Sequence, residues 1–485
     1  MQRLRHLIFC LLLVSLPAPG VRAAEGRPNI VMILADDLGW TDLAFAGSRF
    51  YETPHLDALA AGGLRLTSFY ASPNCAPTRA AQLTGQYAPR TGVYTVGSLE
   101  RGEASARRMV PPENRTALPP GTLTVASVLK TAGYATGYLG KWHLGTNALE
   151  QPTQLGFDEA LVTSAKHLGF VTEPPTELPA GTYLADFLTD RALDFLDRHR
   201  DGPFFLHLSH LAVHSPLEAK PAQVARFEKK APAGNHRDAV YAGMIASLDD
   251  SVGRVVAHLE KLGIATNTVV FFTSDNGGVG GYVDDDAGTR RTGVTDNAPL
   301  RGGKGMLYEG GIRVPTVVSW PGVVKAGSRS TQPALHVDLF PTWCDLAHAA
   351  LPKGHAVDGV SLVPLFKDPT AHLRRDAIYW HFPGYLEAYG KPGWRTTPAG
   401  AIRAGNFKLI EFFEDDRLEL YNLAEDLGEK NNLMRSLPDK TAELRAKLHA
   451  WRREMNAPMP TAKALAITPP PLPSPAGVPA GRARP

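Results

Sequence analysis

The chain has 485 residues, with 44% hydrophobic and 20% charged residues, enough apolar content for a large folded core. Its net charge of +3 is too small to argue for nucleic acid as a partner. Nor is there a basic tract interleaved with aromatics of the kind that grips a polynucleotide.

Arg3 and Arg5 precede an apolar run from Leu7 to Leu16, and Val21-Arg22-Ala23 closes in a small-residue cleavage pattern. Residues 1–23 therefore read as a secretory signal peptide, which makes the protein exported, periplasmic or secreted. No other stretch is long and apolar enough for a transmembrane segment in the mature chain. Asn29-Ile30-Val31-Met32-Ile33-Leu34 is a continuous apolar run, the pattern of a strand buried on both faces, and it stops at Asp36-Asp37. A short helix opens at Thr53-Pro54 and stops at Gly62-Gly63. Asn74-Cys75-Ala76-Pro77-Thr78-Arg79 runs into a second helix, and a third spans Thr122 to Ala132 with Gly133 as its cap.

Further strand–helix units follow. The strand Tyr134 to Leu139 delivers Gly140-Lys141-Trp142-His143, and a helix from Tyr183 to His199 precedes the strand Pro203 to Leu208. That strand feeds His210 and Val213-His214-Ser215-Pro216. A long helix, Arg237 to Leu262, precedes the strand Thr268 to Thr273, which delivers Asp275-Asn276-Gly277-Gly278. Leu300-Arg301-Gly302-Gly303-Lys304-Gly305 then leads to a strand candidate from Val314 to Trp320. Alternating buried strands and amphipathic helices imply an α/β fold, a large, mostly parallel sheet sandwiched by helices. In such sheets ligands bind beyond the carboxyl ends of the strands, where four of the polar clusters lie.

Beyond residue 366 the texture changes. Short strands at Ile378 to His381, Gly400 to Arg403 and Phe407 to Phe413, then a helix from Asp439 to Met455, predict a smaller antiparallel sheet with one packed helix. The expected division is residues 24–366 for the main domain, 367–456 for the smaller one and 457–485 for a disordered Pro- and Ala-rich tail. After removal of the leader two cysteines remain. Cys344 lies in an apolar helical pattern, Phe340 to Leu346, and reads as core.

Adjacent carboxylates directly after a buried strand are costly unless a cation or hydrogen bonds compensate them. Asp36 and Asp37 could be turn or capping residues, but the Asp275-Asn276 pair repeats the layout at a second strand end. The four offer only oxygen ligands, a hard set that suits calcium or magnesium rather than zinc. Cys75 sits at a helix start, where the terminus and Arg79 both favour an anion. Lys141 and Lys304 would ordinarily be solvated surface residues. However, Lys304 lies in a glycine-rich loop where backbone can approach a ligand closely.

Cys75-x-Pro77-x-Arg79 followed by Leu83-Thr84-Gly85 resembles the signature of type I sulfatases of the alkaline phosphatase superfamily, with Thr78 where Ser is commonest. Gly140-Lys141-Trp142-His143-Leu144-Gly145 and Glu419-Leu420-Tyr421-Asn422-Leu423 resemble further elements of that family, and the likeness runs from Pro28 to about Leu433. It implies an alkaline phosphatase-like fold, with Cys75 oxidised to formylglycine (3-oxoalanine) by a formylglycine-generating maturation enzyme. One divalent cation, usually calcium with magnesium as the alternative, would be held by Asp36, Asp37, Asp275, Asn276 and the modified residue 75.

The resemblance further implies sulfate-ester hydrolysis. The aldehyde hydrates, one hydroxyl activated by the metal and Arg79 attacks sulfur, and Lys141 and Lys304 neutralise the transferring oxygens. His214 or Lys304 protonates the leaving alcohol, and His143 takes the second hydroxyl proton as sulfate departs. A phosphonate or phosphodiester hydrolase of the same superfamily and a non-catalytic protein of the same fold are the alternatives. The substrate is expected to be an aryl sulfate or a sulfated carbohydrate. His210 is placed on the pocket wall. His381, Trp394, Arg395 and Arg403 are candidate sugar contacts, and 280–297, with Asp284-Asp285-Asp286 and Arg290-Arg291, is expected to rim the pocket.

Overall fold

The computed structural model describes residues 26–280, 294–387 and 393–463, with the backbone of 282–283 and 290–291. The leader, the Asp284-Asp285-Asp286 run, the Arg290 and Arg291 side chains and the tail beyond 463 lie outside the described residues.

Among the described residues a nine-stranded sheet forms the centre. In chain order its strands are β1 (Asn29–Ala35), β2 (Leu64–Leu66), β3 (Ala135–Gly140), β4 (Glu159–Thr163), β5 (Thr172–Glu173), β6 (Phe204–Ser209), β7 (Thr268–Ser274), β8 (Thr316–Ser319) and β9 (Ser328–Ser330). Their spatial order is β9-β2-β8-β7-β1-β6-β3-β4-β5. The five central strands, β7-β1-β6-β3-β4, are parallel. β8 and β5 run antiparallel to their neighbours, so the sheet is mixed and mostly parallel.

The alternation of side chains along each strand divides the core. Ile30, Met32 and Leu34 join Phe205, Phe271 and Trp343 on one face, while Val31, Ile33, Leu206, Leu208 and Phe272 pack on the other. The first face is covered by α1 (Cys75–Thr84) and, later in the chain, a helix over Leu339–Leu346 that buries Cys344. The second is covered by α2 (Leu184–His199) and α3 (Ala239–Lys261). Burial on both faces explains why these strands read as largely apolar runs without strict alternation.

The smaller sheet has strands Ile378–Phe382, Ala399–Ala404, Phe407–Phe412 and Leu418–Asn422, all antiparallel, with the helix Pro438–Glu454 against it. The expectation of a disordered tail from 457 needs correction at its start. Ala457 donates to Arg452 O at 2.9 Å, Pro458 O bonds the His381 ring at 2.9 Å, and Thr461–Ala462 pair with Met109–Val110. The first two contacts are to the smaller domain and the strand pairing is to the main one, and composition alone does not reveal them. Among the described residues no helix is long and apolar enough to cross a membrane.

Candidate active site

The sheet positions the site by continuing its hydrogen bonds past the strand ends. Asp275 N donates to Ala35 O (3.1 Å), Asp36 N to Ala212 O (2.9 Å), Val213 N to Asp36 O (2.8 Å) and Lys141 N to Ser209 O (2.9 Å). Asp36, Asp275, Lys141 and the His214 turn are thereby locked to one another through backbone. Asp37 adopts a positive φ of 64° and turns the chain out of β1. Such a conformation is uncommon away from glycine but tolerated by Asp.

Cys75 opens α1, which is buried along its whole length. Asn74 is extended ahead of it, and the Thr78 hydroxyl accepts from Ser72 N (2.9 Å) and donates to Asn74 O (3.1 Å). The position therefore uses a hydroxyl, which threonine supplies as serine would. Arg79, on the same helix, donates through Nη2 and Nε to Asp275 Oδ2 (2.7 and 3.1 Å). Its Nη1 reaches Lys141 O (2.8 Å) and Ser209 Oγ (2.5 Å).

Both lysines pair with the aspartates that follow β1. Lys141 Nζ donates to Asp36 Oδ2, and Lys304 Nζ lies 2.7 and 2.8 Å from the two Asp37 oxygens. The Lys304 loop is pinned to two others: Lys304 N donates to Gly278 O, after Asp275-Asn276 (3.0 Å), and Gly305 N to Pro73 O, ahead of Cys75 (2.8 Å). Gly303 is required there, since a Cβ would meet Gly280 O at 2.1 Å.

Asn297 was not singled out by the sequence reading. Its buried amide donates to Gly278 O, Gly280 O and Gly302 O (3.0, 3.1 and 3.1 Å) and accepts from Gly278 N (3.2 Å). It joins the two loops. An asparagine in a polar stretch carries no periodic signal that would have marked it.

Burial raises the Asp36 and Asp37 carboxyls, but neighbouring charges, Lys141 first for Asp36 and Lys304 first for Asp37, outweigh it and hold both below the ordinary range. Asp275 is pushed up by burial and by Asp36, against Arg79. Burial works against charge on both lysines too, yet the carboxylates hold them above the ordinary value, so both remain ammonium. Burial, then Lys141 and Arg79, push His143 down to about 3, and burial lowers His214 against the pull of Asp36 and Asp37. The His214 Nδ1 lies 2.5 Å from Ser215 O, a group that can only accept. Nδ1 therefore carries a proton and Nε2, 3.7 Å from Asp37 Oδ2, faces the site.

The donor set fits a hard cation. Ligating atoms of Asp36, Cys75 and Asp275 lie within 4.8 Å of one another, as do those of Asp36, Asp37 and His214. Among the described residues, the buried Asp36 Oδ1 and Asn276 Oδ1 have no hydrogen-bond partner. Buried acceptors left in this way ask for a positive centre.

Three expected substrate contacts need correction. His210 is completely buried and its Nε2 bonds Ser251 of α3 at 3.0 Å. The alternation of β6 continues through it, so positions 204, 206, 208 and 210 all face the α3 side. His381 is held by Pro458 O, and Arg403 by Tyr70 Oη and Gly405 O (3.2 Å), both within the packing of the smaller sheet. His207, on β6, is buried and stacks on Tyr138 at 4.9 Å.

Comparison with known proteins identifies the family. The family model "Sulfatase" matches residues 28–349, and that of the N-sulphoglucosamine sulphohydrolase C-terminal region matches 303–457. A sulfatase of Formosa agariphila is 34% identical over 518 residues, covering 90% of each chain. Human N-acetylgalactosamine-6-sulfatase is 35% identical over 389 residues, 74% of this chain and 70% of that one. Among solved structures, Ps i-CgsB in complex with k-i-k-neocarrahexaose has 28% identity and a TM-score of 0.73, covering 88% of this chain and 92% of that one. The phosphonate monoester hydrolase of Agrobacterium radiobacter, at 21% identity and a TM-score of 0.65 over 90% and 100% of the two chains, shares the fold. The chain has the alkaline phosphatase-like architecture and belongs to the sulfatase family, whose members are sulfuric ester hydrolases.

Proposed function

We propose that this chain hydrolyses sulfate esters carried on a carbohydrate, with the nucleophile made from Cys75 by oxidation to formylglycine. The observation that carries the reading is the company Cys75 keeps. Its sulfur stands within 4.8 Å of carboxylate oxygens of Asp36 and Asp275, with Arg79 beside them. A soft sulfur is out of place in an oxygen set built for calcium or magnesium, whereas an oxygen nucleophile at that position completes it. Asp36, Asp37, Asp275 and Asn276 would hold the cation, calcium in this reading. When bound, it supplies Lewis-acid stabilisation of anionic oxygen and a lowered hydroxyl pKa.

The remaining roles follow from charge and placement. Lys141 and Lys304 stay ammonium and neutralise charge as it develops on the sulfuryl oxygens. Arg79 fixes Asp275 and, through Lys141 O, the backbone of the Lys141 turn. His214 presents Nε2 to the site; burial lowers its pKa while Asp36 and Asp37 pull the other way, and in its protonated form it would carry the proton to the departing alcohol. His143 is held neutral, the form that would accept the second hydroxyl proton at position 75.

A relative named for a sugar sulfate and a solved neighbour in complex with k-i-k-neocarrahexaose support the carbohydrate preference, and the Arg3-Arg5 leader with its apolar run supports export to the periplasm or beyond. The test is turnover of an aryl sulfate against a phosphate diester, using protein co-produced with a formylglycine-generating enzyme. Sulfate release that is lost to chelator and restored by calcium is expected. Preference for the diester would overturn the reading.

A further inference from the structure

The backbone carbonyl of Lys141 is held by three side-chain donors. Ser209 Oγ and Arg79 Nη1 each donate to it at 2.8 Å, and Tyr138 Oη donates to it as well. A carbonyl oxygen has two lone pairs, so this is more than a buried backbone group needs for satisfaction. The donors come from three elements: Tyr138 lies on β3, Ser209 ends β6, and Arg79 lies on α1, the helix that opens at Cys75. Ser209 also accepts from Lys141 N through its carbonyl (2.9 Å) and from Arg79 Nη1 through its hydroxyl oxygen (2.5 Å).

The turn that these donors hold leaves the regular sheet. Gly140 before Lys141 has a φ of 112°, and His143 after it has a φ of 64°. A Cβ at Gly140 would meet Ser209 O at 1.9 Å, so only glycine lets the turn come this close to β6. The peptide plane after Lys141 is therefore fixed from outside, and with it the stem from which Lys141 Nζ reaches Asp36 Oδ2. The Tyr138 ring is core. It meets Trp142 and Phe157 edge-on at 5.0 and 5.2 Å and stacks on His207 at 4.9 Å. Phenylalanine would fill that space equally, and what the hydroxyl adds to the packing is the bond to Lys141 O.

We propose that Tyr138 and Ser209 are positioning residues for the reaction. Together with Arg79 they lock the Lys141 peptide to α1, and so hold the Lys141 ammonium and His143 in register with residue 75. Both are buried and act through Lys141. The proposal rests on the sulfatase reading for what the turn does in turnover, while the clamp itself can be read without turnover.

The test compares Tyr138→Phe and Ser209→Ala with Tyr134→Phe. Tyr134 donates to Pro28 O at 2.8 Å in the same apolar cluster, just before β3 and so at the end remote from the site. Its replacement removes a buried tyrosine–carbonyl bond of purely structural kind. All proteins are made with the maturation enzyme and compared at equal formylglycine content. Tyr138→Phe and Ser209→Ala are each expected to lower kcat on an aryl sulfate by about tenfold, with KM changed by less than about twofold, and Tyr134→Phe to leave both at wild-type values. Equal kcat in the two tyrosine variants, or a loss confined to KM, would overturn the proposal. Amide exchange over residues 140–144, followed by mass spectrometry, reads the clamp directly. It is expected to quicken by about tenfold in Tyr138→Phe and Ser209→Ala and to stay unchanged in Tyr134→Phe. Unchanged exchange in all three would overturn the clamp whether or not the protein releases sulfate. Quickened exchange alongside a wild type that releases no sulfate would leave the clamp standing and count against the hydrolase.

Discussion

Arg79 places Nη2 and Nε on the same oxygen of Asp275, at 2.7 and 3.1 Å, leaving the other oxygen to accept from Asp37 N at 3.2 Å. One arginine thus orients the carboxylate that follows β7 and, through the second oxygen of Asp275, the turn after β1. Both groups are buried, so the pair cannot be broken without stranding a charge. Arg79→Ala is expected to lower unfolding free energy by about 3–5 kcal/mol and turnover by about a hundredfold or more. Denaturant titration and sulfate release check it, and wild-type values in both would remove Arg79 from the account.

His214 and Lys304 are the two groups placed to protonate the leaving alcohol. A nitrophenolate departs nearly unaided, whereas a sugar alkoxide depends on an acid, a contribution of about 10²–10⁴-fold. Replacing the true acid with alanine should therefore slow a sulfated sugar far more than an aryl sulfate. Loss of sulfate binding would slow both equally. Turnover of His214→Ala and Lys304→Ala on both substrates, at matched metal content, separates the two roles.

Acid should destabilise the fold through its buried histidines. Burial pushes His210 from 6.5 down to about 3, and His207 and His336 also to about 3. The unfolded chain takes up a proton below about 6.5 that the folded chain refuses. The stability from a neutral His210 is therefore complete above that pH and lost as pH falls toward 3, at about 1.4 kcal/mol per unit. His210→Gln, which keeps a polar group for Ser251 but cannot titrate, is expected to show a shallower fall in stability between pH 6.5 and 4. Identical slopes would contradict the assignment.

The smaller sheet is tied to the main domain by a buried ion cluster. Lys408 Nζ lies 2.9 Å from both Glu309 and Glu429, and Glu429 accepts from Glu309 N at 2.7 Å. Burial raises Glu309, but Lys408 and Arg313 bring it down to about 2. Burial, against Lys408 and with the help of Glu309, pushes Glu429 up to about 7. Lys408→Met removes the shared counterion and is expected to destabilise by about 3–5 kcal/mol, with partial recovery when Glu309→Gln is added. Urea midpoints of the single and double variants check this; no recovery in the double would mean that lost packing, not stranded charge, is the cause.

Much of this architecture could be read from the chain because its informative residues are also its most constrained. β1, β6 and β7 are buried on both faces, so they are apolar along most of their length, with His207 interrupting β6, and the carboxylates that follow β1 and β7, Asp36 and Asp275, stand out. What was hidden depends on partners distant in sequence. β2 is three residues long and pairs with strands more than 250 positions away. The side to which His210 points is decided by the register of β6 against its neighbours. Asn297 matters because three carbonyls from two other segments converge on it. The hydrogen bonds of Pro458 turn the start of a Pro- and Ala-rich tail into an ordered strap.

The central claim is that residue 75 acts as an oxygen nucleophile. Peptide mass spectrometry of the segment containing residue 75, on a preparation with measured sulfate release, tests it most directly. The account predicts the mass expected when the cysteine CH2SH has become CHO, in proportion to activity across preparations made with and without the maturation enzyme. Full activity in a preparation whose residue 75 is entirely unmodified cysteine would contradict it.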